Sequence, residues 1–110
     1  MQDASQPIVA VADGTATAVL SGEFDMAATF ASEPALEQAV ETPGLRRFTL
    51  DLSELTFIDS LGIGVVIRLA SELEARGIAL RILPGPPPVQ RIFASAGLAQ
   101  ALPFEPEPAG

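Results

Sequence analysis

The stretch Thr56-Phe57-Ile58-Asp59-Ser60-Leu61-Gly62-Ile63-Gly64-Val65-Val66 sets a hydroxyl beside a carboxylate, between an apolar run and two glycines. Three kinds of chemistry are open to Ser60: attack on a substrate, capping of a helix, or acceptance of a modifying group. The rest of the chain weighs against the first. It contains no His, Cys, Lys, Tyr or Trp, and its six basic residues are all arginine. A Ser–His–Asp triad, a Ser–Lys pair, a thiolate nucleophile and a phosphate-loop lysine are excluded. So is a zinc site built on His or Cys. The sequence Ile58-Asp59-Ser60-Leu61-Gly62 also lacks the G-x-S-x-G elbow that exposes a hydrolase serine. With no nucleophile–base pair to assemble, neither enzymatic activity nor a cofactor is expected. Capping is open, because a serine hydroxyl readily accepts a first-turn N–H. Phosphate acceptance is open too: a helix N-terminus offers free N–H groups and a positive dipole, and a kinase would bring the catalytic machinery.

These side chains need a scaffold, and the composition allows a small one. The 110 residues fit one domain with one core, and 48% of them are hydrophobic, too many for a disordered chain. No uncharged apolar run approaches the ~18 residues of a membrane span, and Met1-Gln2-Asp3-Ala4-Ser5-Gln6-Pro7 has none of the regions of a signal peptide. The absence of cysteine fits a cytoplasmic protein. A net charge of −8 argues against nucleic-acid binding, which needs a basic face; it suits either a protein with a basic partner or a small, rather apolar domain kept soluble by its charge.

The pattern predicts a leader over 1–7, a single domain over 8–104 and a disordered tail over 105–110. Strands at 8–13 and 15–25 flank Asp13-Gly14, a hairpin signal. Residues 26–31 are ambiguous. Ser32 is expected to cap a helix with Pro34 in its first turn, stopped by Thr42-Pro43-Gly44. Alternation of Phe48, Leu50 and Leu52 marks a strand over 46–52, with Phe57 and Ile58 in the connection to Ser60. A helix over 61–76 ending at Gly77, a strand over 78–83, a rigid Pro84–Pro88 loop, a short helix with Val89, Ile92 and Phe93 inward, and an edge strand over 98–104 complete the chain. The order β-β-α-β-α-β-α gives a mixed sheet with an initial hairpin and helices packed on it, an α/β fold.

On the helix after Ser60, residues Gly62, Val66, Leu69 and Leu73, with Ile63 and Ala70, form the expected core stripe. Gly62 on that stripe would let the helix approach the sheet closely. Leu61 and Val65 fall elsewhere, beside Arg68, Glu72 and Arg76, so both are expected to stand exposed. With the small Gly64 they suggest a contact surface.

The run 50–66 (LDLSELTFIDSLGIGVV) resembles the STAS domain of anti-sigma factor antagonists, in which a strand leads through a D-S-x-G-like turn into a helix. Ser21-Gly22-Glu23-Phe24-Asp25 is similar to that family's second-strand ending, and 84–104 to its last loop, helix and strand. The likeness covers roughly 8–104. It implies a bacterial partner switch. The unphosphorylated antagonist binds an anti-sigma factor, commonly a serine kinase of the GHKL type, and frees a sigma factor for transcription. The kinase uses ATP and magnesium to phosphorylate the serine after the aspartate, here Ser60, and the antagonist then lets go. A metal-dependent Ser/Thr phosphatase restores it. The resemblance implies Asp25, Asp59, Leu61 and Gly62 as partner-binding residues, and the helix face adds Gly64, Val65 and Arg68, in a protein expected to be monomeric and not inserted in a membrane. One departure stands out: Leu61 occupies a place where many relatives carry a second small hydroxyl residue or similar.

Asp25 and Asp59 have a second reading as carboxylates that only satisfy loop N–H groups. The fold also admits another role, as a constitutive STAS subunit of a membrane transport or signalling complex. A receiver-like phosphoryl-transfer enzyme is disfavoured, because no lysine is present to sit near an acceptor aspartate.

Overall fold

The computed structural model describes residues 6–106. Residues 1–5 of the expected leader and 107–110 of the expected tail lie outside them. In chain order the elements are β1 (Ile8–Ala12), β2 (Thr15–Phe24), α1 (Met26–Val40), β3 (Arg47–Ile58), α2 (Ser60–Ala75), β4 (Ala79–Leu83) and α3 (Pro87–Ser95). The four strands form one sheet in the order β1-β2-β3-β4. β1 and β2 are antiparallel; β2–β3 and β3–β4 are parallel, as the intervening helices require. The hairpin turns on Asp13 (φ 54°) and Gly14 (φ 78°), the doubly left-handed backbone of a tight two-residue loop.

One face of the sheet carries the core. Ala16, Ala18 and Leu20 of β2, Phe48, Leu50 and Leu52 of β3 and Ile82 of β4 are buried with Leu36 and Val40 of α1, Val66, Leu69 and Leu73 of α2, and Val89 and Phe93 of α3. Of the expected α2 stripe only Ala70 is half-buried. Among the described residues no helix is long and apolar enough to cross a membrane.

Three elements depart from expectation. First, β3 runs to Ile58, so Phe57 lies in the strand and not in a connection. Its ladder with β2 shifts between Val19 and Ser21 and again between Gly22 and Glu23, with the extra residues on β3. Those bulges break the period-two alternation that marks a strand. Second, α1 starts at Met26, six positions before the expected cap. Ser32 is buried in mid-helix and Pro34 lies inside the helix. The cap is Asp25, whose carboxylate accepts the Ala28 N–H at 3.0 Å. Pro34 removes one intrahelical hydrogen bond and its ring crowds the Phe30 carbonyl, yet the helix continues through it to Val40. Third, the last strand shrinks to a single parallel bridge between Ile82 and Phe104. There Ile82 N–H donates to Pro103 O at 3.0 Å and Glu105 N–H to Ile82 O at 2.8 Å. The Phe104 ring packs edge-on against Phe93, centroids 5.1 Å apart.

Candidate partner-docking site around Ser60

β2 and β3 end in step, with Phe24 paired to Ile58. Each strand passes through one aspartate directly into a helix, so α1 and α2 start side by side. Asp25 caps α1, and Asp59 caps α2 by accepting the Gly62 N–H at 2.9 Å. The Asp59 N–H donates to Phe24 O at 3.3 Å, which ties the two strand ends together. Gly62 is what permits this closeness. A Cβ there would lie 2.6 Å from Phe24 Cδ2 and 2.9 Å from both Ile58 Cγ1 and the Phe24 carbonyl oxygen.

Ser60 is therefore the first residue of α2 and not its cap. The strand ladder reaches Ile58, and the one extended residue before the helix is Asp59. The Ser60 side chain is exposed. With Gly62 bonded to Asp59 and Ile63 to the Asp59 carbonyl, the Ser60 and Leu61 amides are the first-turn donors left over. Two parallel helix dipoles thus point their positive ends at one patch, each met by a capping carboxylate.

Leu61 is exposed as expected, but Val65 is buried, 6% exposed. The face that Val65 shares with Arg68, Glu72 and Arg76 borders α1, where Leu36 and Leu69 line a small cleft with it. Glu33, Leu36 and Glu37 of α1 flank Val65 there. Two ion pairs mark the seam: Arg68–Glu33 at 2.5 Å and Arg76–Glu41 at 2.6 Å, each joining residues 35 apart in sequence. The constant offset means that the helices run parallel and in step. Arg68 keeps an exposed side chain beside the seam. Gly64 is half-buried and open, since a Cβ there would meet only Arg68 Nη1, at 3.8 Å.

The same offset sets Met26 level with Leu61 and Phe30 level with Val65. Met26 is 54% exposed and Phe30 64%, four residues apart on the stripe that continues to Glu33 and Glu37. With Leu61 they put exposed apolar side chains at the Ser60 end of the helix pair; Phe57, also exposed, lies near the end of β3. Sequence reasoning missed Met26 and Phe30 because it left 26–31 unassigned. The available signal was Asp25 as a cap, with Met26, Phe30 and Glu33 at helical spacing behind it.

A family model described as "STAS domain" matches residues 6–109. An anti-sigma F factor antagonist of Paenibacillus polymyxa is 27% identical over 85 residues, 77% of this chain and 73% of that protein. An anti-sigma factor antagonist from Mycobacterium paratuberculosis superposes with a TM-score of 0.68 at 27% identity, over 92% of this chain and 85% of its own. The anti-sigma factor antagonist SpoIIAA in its unphosphorylated form gives a TM-score of 0.76 at 24% identity, over 92% and 89% of the two chains. At that identity the likeness shows the fold.

Proposed function

The chain belongs to the STAS domain family, and from that premise we propose that it is an anti-sigma factor antagonist switched by phosphorylation of Ser60. Relatives at 27% identity bear the antagonist name. The observation that carries the reading is the exposed Ser60 hydroxyl at the start of α2, freed from capping by Asp59, with exposed Met26 and Leu61 on the first turns of the two helices. Unmodified, this surface docks on an anti-sigma factor that is also a serine kinase, and a sigma factor is released. The kinase transfers the γ-phosphoryl group of Mg-ATP to Ser60 Oγ. A P–O bond forms, ADP leaves, and the hydroxyl proton passes to the kinase's base. A Ser/Thr phosphatase hydrolyses the ester.

The switch acts through local charge. Phosphate adds about −1.5 to −2 beside Asp25 and Asp59. Bringing a partner carboxylate within ~6 Å of it, at an effective dielectric of ~40, costs on the order of 2–3 kcal/mol, about a hundredfold in affinity. No refolding is needed. The new oxygens sit where the Ser60 and Leu61 amides and the helix dipole favour an anion, so the phosphorylated chain stays folded.

The test is mass spectrometry after incubation with a candidate anti-sigma kinase and Mg-ATP. A phosphate on Ser60, absent in Ser60→Ala, is the expected result. Ser60→Asp, with one added charge, is expected to weaken partner binding about tenfold. No modification, together with binding indifferent to Ser60→Asp, would overturn the switch and leave the constitutive subunit as the better account.

A further inference from the structure

The sheet face away from the core carries a second cluster of polar groups. Its register places Thr15, Arg47 and Ala79 in one row and Thr17, Thr49 and Arg81 in the next. A cavity of about 350 Å³ opens there, lined by strand residues alone: Thr15, Thr49, the two arginines, and their neighbours Phe48, Ala79 and Leu80. The site lies at the start of β3, whereas Ser60 follows its end, roughly 30 Å along the strand.

The charge of these arginines is what stands out. Acidic residues outnumber arginines 14 to 6, so a spare arginine should readily find a carboxylate. Arg68 and Arg76 do, in the ion pairs formed among the described residues. Arg46 donates to the Asp13 carbonyl and lies against Gly14 of the hairpin. Arg47 and Arg81 join no such pair; neither does Arg91 on α3, but Arg47 and Arg81 line one cavity together. The carboxylate in the adjoining row, Asp51, accepts instead from the Ser53 N–H at 2.9 Å and the Ser53 hydroxyl at 2.6 Å. Two guanidinium forks are left facing one cavity with two threonine hydroxyls on its wall.

We propose that this cavity binds a small molecule through a phosphate group, with Arg47 and Arg81 as the charge-bearing contacts and Thr15 and Thr49 as hydroxyl partners. Planar guanidinium forks suit tetrahedral oxyanions and bind them through paired, charge-assisted hydrogen bonds. The cavity exceeds a bare phosphate in size, which leaves room for the rest of an ester. Asp51, one row further along the sheet, disfavours a ligand with further negative charge on that side.

Nuclear magnetic resonance titration of the full chain tests this with two probes, inorganic phosphate and ribose 5-phosphate, against sodium chloride at equal ionic strength. Saturable shifts confined to the residues around 15, 47–49 and 79–81 are expected, with dissociation constants near or below ~1 mM. Arg47→Gln and Arg81→Gln are each expected to weaken binding about tenfold or more. Arg81→Lys, which keeps the charge and loses the fork, should retain weaker binding, and it serves should a glutamine variant fail to fold. Tighter binding of the ester identifies a phosphorylated metabolite as the ligand; equal binding identifies free phosphate. Shifts matched by chloride, shifts that persist in both glutamine variants, or no saturation with either probe would each overturn the proposal.

Discussion

At the scale of single residues, the neighbourhood of Ser60 divides its labour between three side chains. Asp59 caps, Gly62 makes room and Ser60 is left free. Each role has a measurable consequence. Asp59→Ala strands the Gly62 N–H and should cost about 1 kcal/mol in urea denaturation. Ser60→Ala should stay within about 0.5 kcal/mol of the parent. The reverse order would return the cap to Ser60. Gly62→Ala pushes a methyl group into Phe24 and Ile58 and should cost about 1–3 kcal/mol, since the close atoms include backbone. Gly64→Ala, facing open space in the same helix, should be neutral or up to about 1 kcal/mol stabilising. Equal costs at the two glycines would mean that α2 does not pack through Gly62.

At the scale of elements, the functional surface is a property of two helices rather than one. The Asp13-Gly14 hairpin, the core stripe of α2 and the order of strands and helices were all legible in the sequence, because each rests on a local pattern. The start of α1 was not. Ser32 followed by Pro34 is a better-looking N-terminus than Asp25, and only the parallel ladder between β2 and β3 decides where the chain must turn. That one misplacement propagated. With 26–31 unassigned, Met26 and Phe30 went unnoticed; Val65 was misplaced for a separate reason, since the periodicity of α2 alone does not show that Glu33, Leu36 and Glu37 of α1 lie against that face. The far end of β3 was hidden for a different reason: two bulges reset the side-chain alternation. The corrected surface makes a sharp prediction. Met26→Glu, Phe30→Glu and Leu61→Glu should each weaken binding to the anti-sigma partner about tenfold or more, with melting temperatures near the parent's. Val65→Glu should unfold the domain or destabilise it by several kcal/mol, as a buried unpaired charge does. Calorimetric binding paired with thermal melts separates the two classes. Full binding by Met26→Glu and Phe30→Glu would confine the docking surface to α2.

At the scale of the whole molecule, an excess of eight negative charges must be accommodated, and the α1–α2 seam is where the crowding is visible. Glu37, Glu41 and Glu72 converge there on Arg76. The Glu37 carboxyl is held above its ordinary value of 4.5, first by desolvation, then by the charge of Glu72 and a hydrogen bond with it, and by Glu41; Arg76 works in the opposite direction. A carboxyl whose folded pKa is raised binds more protons in the native state than in the unfolded chain. Stability contributed by this group is therefore greatest below the unfolded value, and it falls as the pH rises through the window just above 4.5. Above that window the loss is complete and constant. Glu37→Gln removes the group that must ionise. The variant should be more stable than the parent at pH 7, by about 0.5 kcal/mol or less, because the site is exposed and screened. The difference should vanish in acid, below pH ~4, where Glu37 is neutral in both states. Urea denaturation at the two pH values measures it directly. A gain that persists undiminished in acid would trace to packing or helix propensity and not to charge. A loss at pH 7 would show that Glu37 helps to hold Arg76 in the seam, so that the attraction outweighs the crowding.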